Sequence, residues 1–226
     1  MLVYAIPDIH FPYVDKKALK KVLNAIRDEK PDVVIQMGDL YDQYVFGRFD
    51  RNLNEISPDE EMSRGRKMAV NFWRTIKKHV PEARCIQLSG NHDMRMLKTI
   101  ISKAPEYLGM VEKARDKMYS FDGVETFNSD RDFVEIDGVV YVHGWKQKVW
   151  DHYVHFNKPV VRCHSHRAEL RSLQNRSTDY KFAFEMACGC LVDESSVPFN
   201  YTTSKMNNWE KAFGVIVDGR PWLEYL

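Results

Sequence analysis

The chain has 226 residues, 44% apolar and 12% aromatic, with 33 basic side chains against 32 acidic ones and a net charge of +1. That length suits one domain of roughly 50–250 residues, and so much apolar material excludes intrinsic disorder. Near neutrality excludes a global electrostatic pull toward nucleic acid or membrane, so any such contact must be local. No apolar run approaches the ~18 residues of a membrane-spanning helix, so no membrane association is expected.

Along the chain, Leu2–Ile6 is a continuous apolar run, as expected of a strand buried on both faces. Asp15 opens a helix with Ala18, Val22 and Ile26 on one face and a row of lysines on the other. Pro31 stops it, and Asp32–Gln36 reads as a second buried strand. Ser57-Pro58-Asp59-Glu60 is a capping box with proline at the first helical position, and the helix should reach about Val80. Arg84–Leu88 is a third strand, followed by a helix over Met94–Lys103.

Past residue 120 the pattern turns β-rich and largely antiparallel. Asp137-Gly138 and Asp218-Gly219 each sit between apolar strands, the signal of a type I′ hairpin. Pro159–Cys163, Glu169–Leu173 and Tyr180–Ala187 read as further strands. With no repeat or linker, residues 1–226 form a single domain. The four cysteines form no CxxC pair or disulfide framework, and Cys188 and Cys190 read as core rather than half of a metal site. A reducing, cytoplasmic location is expected, and the N-terminus, lacking a basic lead, is a poor secretory signal.

Three of these strands run into polar clusters: Asp8-Ile-His10, Gly38-Asp39-Leu40-Tyr41-Asp42 and Gly90-Asn91-His92-Asp93. Two more follow, at His143-Gly144 and His164-Ser165-His166. The carboxyl ends of strands are where open α/β sheets bind ligands, so the clusters can share one rim. Strand alternation would put Asp8 with His10, and His164 with His166, on one face each. Carboxylate, imidazole and amide donors without thiolate suit Mn, Fe, Ni or Zn in a non-structural site. A central carboxylate such as Asp39 has two oxygens and can bridge two cations. The glycines before Asp39 and Asn91 allow tight backbone approach.

Together these clusters resemble the calcineurin-like metallophosphoesterase superfamily, whose pattern D-x-H, G-D-x-x-D, G-N-H-[DE], lone His and G-H-x-H is matched from Asp8 to His166. The one departure is Cys163, where the last block usually has glycine. The resemblance implies an α/β fold of α+β character, a four-layer αββα sandwich of mixed sheets. It makes Asp8, His10, Asp39 and His166 the ligands of one divalent cation, with Asp39 bridging to a second held by Asn91, His143 and His164. Manganese is the first choice of metal. His92 becomes the catalytic imidazole that donates a proton, with Asp42 orienting it.

The implied activity is hydrolysis of a phosphate ester of a nucleotide or nucleic acid, as a phosphodiesterase or nuclease. Alternatives are a phosphatase acting on phosphoproteins or small metabolites and a non-catalytic scaffold on the same fold. The protein-phosphatase version is weakened because Gln43-Tyr44 follows Asp42 in place of Arg-Gly. Arg95 is close enough to bind a substrate phosphate, or else is a solvated arginine. The basic helix over residues 64–78 reads as packed with a wet side rather than as a phosphate-backbone track. Trp145, Trp150 and Tyr153 either stack on a base or pack. Selectivity is assigned to Tyr41–Ser57 and the region from Gln174 onward.

Overall fold

The computed structural model describes residues 1–47, 56–173, 183–202 and 208–226. Parts of both selectivity segments and the start of the Tyr180–Ala187 strand lie outside the described residues.

One six-stranded sheet has the order β11-β10-β1-β2-β3-β4, formed by β1 (Leu2–Ile6), β2 (Val33–Gln36), β3 (Arg84–Gln87), β4 (Glu125–Thr126), β10 (Ala212–Val217) and β11 (Arg220–Tyr225). The second, of order β5-β6-β7-β9-β8, comprises β5 (Phe133–Ile136), β6 (Val139–Val142), β7 (Val160–Arg162), β8 (Ala168–Leu173) and β9 (Ala183–Cys188).

Both aspartate–glycine pairs turn hairpins with positive φ at each residue, +48° and +75° at Asp137-Gly138, +48° and +76° at Asp218-Gly219. The antiparallel expectation past residue 120 holds for both hairpins, for β8–β9 and for β10 against β1, but not at the centre of the second sheet. β6–β7 and β7–β9 pair in parallel, and only the outer strands are antiparallel. β6 reaches β7 by a crossover through α5 (Asp151–Phe156), which sets it parallel as βαβ units require.

The pleat explains the apolar strands. Tyr4, Ile6, Val34, Cys85 and Val215 face α1 (Lys16–Glu29) and α2 (Pro58–His79) in one cluster. Val3, Ala5, Ile35, Ile86 and Ile216 meet Val161, Phe184, Met186 and Cys188 between the sheets. Each such fully buried aliphatic contributes ~1.5–3 kcal/mol. Val140, Val142 and Val160 pack outward under Trp145 and Phe156. The layers run helices, sheet, sheet, helix, and among the described residues the last layer is the short α5.

The caps follow the residues. The Asp15 carboxylate accepts from the N–H groups of Lys17 and Ala18, and Ser57 Oγ accepts from Glu60 N–H. Gly65, Ala69, Phe72, Trp73 and Ile76 bury one side of α2, so it is the packed helix with a wet side. α3 (Arg95–Lys103) is followed by a helix the sequence does not reveal, α4 (Leu108–Tyr119). All four cysteines are free and buried. Among the described residues, no helix is long and apolar enough to cross a membrane.

Candidate metal centre

The five motif clusters meet at the ends of β1, β2, β3, β6 and β7, and strand alternation is not what joins them. β1 ends at Ile6, His10 has φ +53°, and His164 and His166 have φ +69° and +59°. Left-handed backbone, which histidine, aspartate and asparagine adopt more readily than most residues, folds each pair back toward the other clusters. The His164 N–H then donates to Asp8 Oδ2 at 3.0 Å, tying first motif to last.

Two glycines let these loops touch. A Cβ on Gly90 would overlap the Asp39 carboxylate, and one on Gly38 (φ +97°) would lie 2.7 Å from Gly90 N and 2.8 Å from His143 Nδ1. Asp93, fully buried, gathers the loops: its carboxylate accepts from the N–H groups of Leu40, Tyr41 and Gly90 and from the Tyr119 hydroxyl. α4 supplies that tyrosine and also Arg115, which donates to Ser89 Oγ and to Asn128.

The donor atoms fall into two sets that share Asp39 Oδ2. In the first, His10 Nε2 stands 3.2 Å from His166 Nε2 and 3.7 Å from Asp39 Oδ2, and His166 Nε2 is 3.3 Å from Asp8 Oδ2. In the second, His143 Nε2 is 3.4 Å from Asp39 Oδ2 and 3.1 Å from Asn91 Oδ1, which is 2.7 Å from His164 Nδ1.

Neighbouring groups fix two tautomers. His10 Nδ1 donates to Asp42 Oδ2 at 2.7 Å and His143 Nδ1 to the Met37 carbonyl at 3.1 Å, so each ring turns a bare Nε2 toward the shared carboxylate when neutral. Asp39 Oδ1 is taken by the His92 N–H at 2.8 Å, leaving Oδ2 for both sets. Asp8 Oδ1 is completely buried with no hydrogen-bond partner. An orphaned carboxylate oxygen beside converging imidazoles is the donor chemistry of a divalent cation, so the residues fit the metals the motifs imply.

Without a cation the site divides: Asp39, His164 and His166 are held in their ligating forms, whereas Asp8 and His143 are held toward protonation and would give up a proton to a cation. Burial raises the Asp8 pKa, and Asp39 adds to the rise. Burial works against charge on Asp39 too, but His143, His92 and His10 outweigh it and hold its pKa well below the ordinary value. His143 is held up to about 9, burial being overcome by Asp39, Asp8 and Asp93. Burial and the neighbouring His143 bring His164 down to about 4, and burial with His10 holds His166 well below its ordinary value. Lowered pKa values keep these imidazoles neutral, as metal ligation requires.

His92 lies outside both sets and is partly exposed. Its Nδ1 donates to the Asp42 carbonyl at 3.0 Å and lies 3.3 Å from Asp42 Oδ2. Its Nε2 accepts from Arg95 Nη2 at 2.8 Å, while Arg95 Nη1 donates to the carbonyl and carboxylate of Asp42. Arg95 is therefore engaged with the site and is not a solvated arginine. Asp42 stays ionised, because His92 and His10 overcome its burial. Trp145 packs on His152, His155 and Phe156, and Trp150 stacks on Tyr153. Sequence reading places Asp93 in the third cluster without a role, and misses Arg115, Tyr119 and the buried trio Arg162, Glu185 and His152.

The family described as calcineurin-like phosphoesterase matches residues 1–194. Two similar relatives carry the name Gene 54 protein. That of Mycobacterium phage D29 is 24% identical over 96% of this chain and 89% of its own length, and that of Mycobacterium phage L5 matches with the same figures. Among solved structures, a single mutant of Vps29 from Entamoeba histolytica is 12% identical, with a TM-score of 0.46 over 100% of this chain and 98% of that one. YfcE, a phosphoesterase from E. coli, is 13% identical, with a TM-score of 0.42 over 96% and 88%. The chain belongs to the calcineurin-like phosphoesterases, and its two mixed sheets and flanking helices have that family's fold.

Proposed function

We propose that this calcineurin-like phosphoesterase hydrolyses phosphate esters of nucleotides or nucleic acid with two divalent cations, manganese first among them. Asp8, His10, Asp39 and His166 would hold one cation; Asp39, Asn91, His143 and His164 would hold the other. The observation that carries the reading is the shared Asp39 Oδ2, which faces His10 Nε2 on one side and His143 Nε2 on the other, beside the orphaned Asp8 Oδ1. Such ions, when bound, neutralise charge on phosphoryl oxygens and make water a nucleophile at neutral pH.

The chain's own groups do the rest. Asp42 holds His92 by its Nδ1 side, so Nε2 is the atom that gives a proton to the leaving oxygen. Nε2 cannot carry that proton while Arg95 Nη2 donates to it. A substrate phosphate offers Arg95 a stronger acceptor, so its arrival draws the guanidinium from His92 and frees Nε2 for the proton. Arg95 thereby binds substrate and gates the acid. The nucleotide arm is supported by the half-buried Trp209 beside the first set, its ring centroid 4.2 Å from that of His166.

A manganese-supplemented panel tests this: chromogenic mono- and diesters, cyclic nucleotides, nucleoside monophosphates, single- and double-stranded DNA and a phosphopeptide. Turnover of a diester, nucleotide or DNA is the expected result. Cleavage of the phosphopeptide alone would make the protein a phosphomonoesterase for phosphoproteins. Two bound cations with no turnover of any substrate would make it a scaffold.

A further inference from the structure

Behind the loops that carry the second set of donors lies a fully buried ionic network. The outward face of the second sheet should be apolar under α5, as Val140, Val142 and Val160 are, yet it also holds Arg162 on β7 and Glu185 on β9, both with no exposed surface. Arg162 Nε donates to Glu185 Oε1 at 2.8 Å. Its Nη1 donates to the Cys163 carbonyl at 3.1 Å and to Ser165 Oγ at 2.9 Å, and its Nη2 to the Gln147 carbonyl at 3.3 Å.

Glu185 Oε2 accepts from the N–H groups of His152 and Tyr153, both at 2.9 Å, and so caps the start of α5, where Trp150 supplies no side-chain cap. His152, likewise fully buried, accepts the Trp145 N–H at its Nε2, so its Nδ1 is the protonated nitrogen and donates to Glu185 Oε1. A Cβ on Gly144 would lie 3.3 Å from the Arg162 side chain and 3.4 Å from His152. The network therefore touches the residue after His143, the carbonyl before His164 and the hydroxyl after it.

Burying charges is costly unless geometry and hydrogen bonding are complete, and a simple packing role would be met as well by apolar side chains. Only the planar fork of an arginine reaches Glu185, Cys163, Ser165 and Gln147 at once. We infer that Arg162, anchored by Glu185 and His152, is a positioning residue that holds the His143 and His164 loops in register with each other and so sets the affinity of the second cation. This rests on the two-cation reading above. Cys163, which stands where the family's last block has glycine, puts its side chain into the inter-sheet core, while its carbonyl accepts from Arg162.

The test titrates manganese into the chelator-stripped full chain, by calorimetry and electron paramagnetic resonance, for wild type, Arg162→Lys and Ser165→Ala. Lysine keeps the charge beside Glu185 but loses the fork, while alanine removes a single contact. The expected result for Arg162→Lys is a second cation weakened roughly 10–100-fold, the first, whose His166 follows Ser165 on the same loop, weakened clearly less, and a mononuclear manganese signal where wild type shows a coupled pair. Ser165→Ala should move the same ratio less, with near-ultraviolet dichroism unchanged in both. Variants that bind both cations like wild type, or that weaken both equally, overturn the assignment. Should Arg162→Lys fail to fold, Ser165→Ala decides in the same terms. A wild type that takes up no cation overturns the phosphoesterase reading itself, and this assignment with it.

Discussion

Two halves of the molecule bring candidate metal donors to one place by opposite electrostatic means. The first half supplies Asp8, His10, Asp39 and Asn91 from the ends of parallel strands, and a buried anion braces its loops, Asp93 collecting backbone N–H groups. The second half supplies His143, His164 and His166, and a buried cation braces it, Arg162 collecting carbonyls and a hydroxyl. The difference follows from what each loop leaves unpaired. Turns that open at Gly38 and Gly90 point N–H groups inward, whereas those after β6 and β7 point carbonyls inward, and each needs a partner of opposite sign.

The comparison can be broken in graded steps. Asp39→Asn strikes the one side chain common to both sets, so manganese uptake should fall for both cations and kcat by about 10³-fold, roughly 4 kcal/mol. Retention of two cations at wild-type affinity would contradict the shared-ligand assignment. His92→Ala touches neither set. Metal content should stay at two per chain by elemental analysis while kcat drops roughly 10²–10⁴-fold.

On the bracing side, Glu185→Gln leaves Arg162 buried without a counter-charge and should cost about 3–5 kcal/mol at neutral pH, read by urea denaturation. The dependence on pH carries a definite sign. Burial pushes the Glu185 pKa up, but His152, the Tyr153 N–H and Arg162 outweigh it and hold it at about 2, below the ordinary 4.5. The stabilisation is therefore complete above pH ~4.5 and lost as the pH falls toward ~2, so the gap between wild type and Glu185→Gln should close across that window. A gap constant down to pH 2 would refute the ionised pair. The smallest step is Tyr119→Phe, which removes one hydrogen bond to a buried carboxylate for about 1.5–3 kcal/mol, with both cations still bound.

Much of this was legible in the residues, for stated reasons. Strands buried on both faces show as apolar runs, so Leu2–Ile6 stood out, and positive φ has few hosts, so both aspartate–glycine turns were readable. The convergence of the donor clusters was legible because carboxylates and imidazoles stood together at strand ends. How they converge was not, since left-handed φ at His10, His164 and His166 is set by tertiary contacts. α4 was hidden because its buried residues are Arg115 and Tyr119, so no apolar stripe marks it. Arg162 and Glu185 stand as single charges in two separate strand runs, and their spacing does not mark them as partners. Nothing local shows that α5 covers them.

The central claim is a pair of cations sharing Asp39. Manganese-soaked crystals, measured for anomalous scattering, test it most directly. The account requires two peaks about 3.5–4 Å apart, Asp39 touching both, His10 beside one and His143 beside the other. A single peak, or two that have no carboxylate in common, would contradict it.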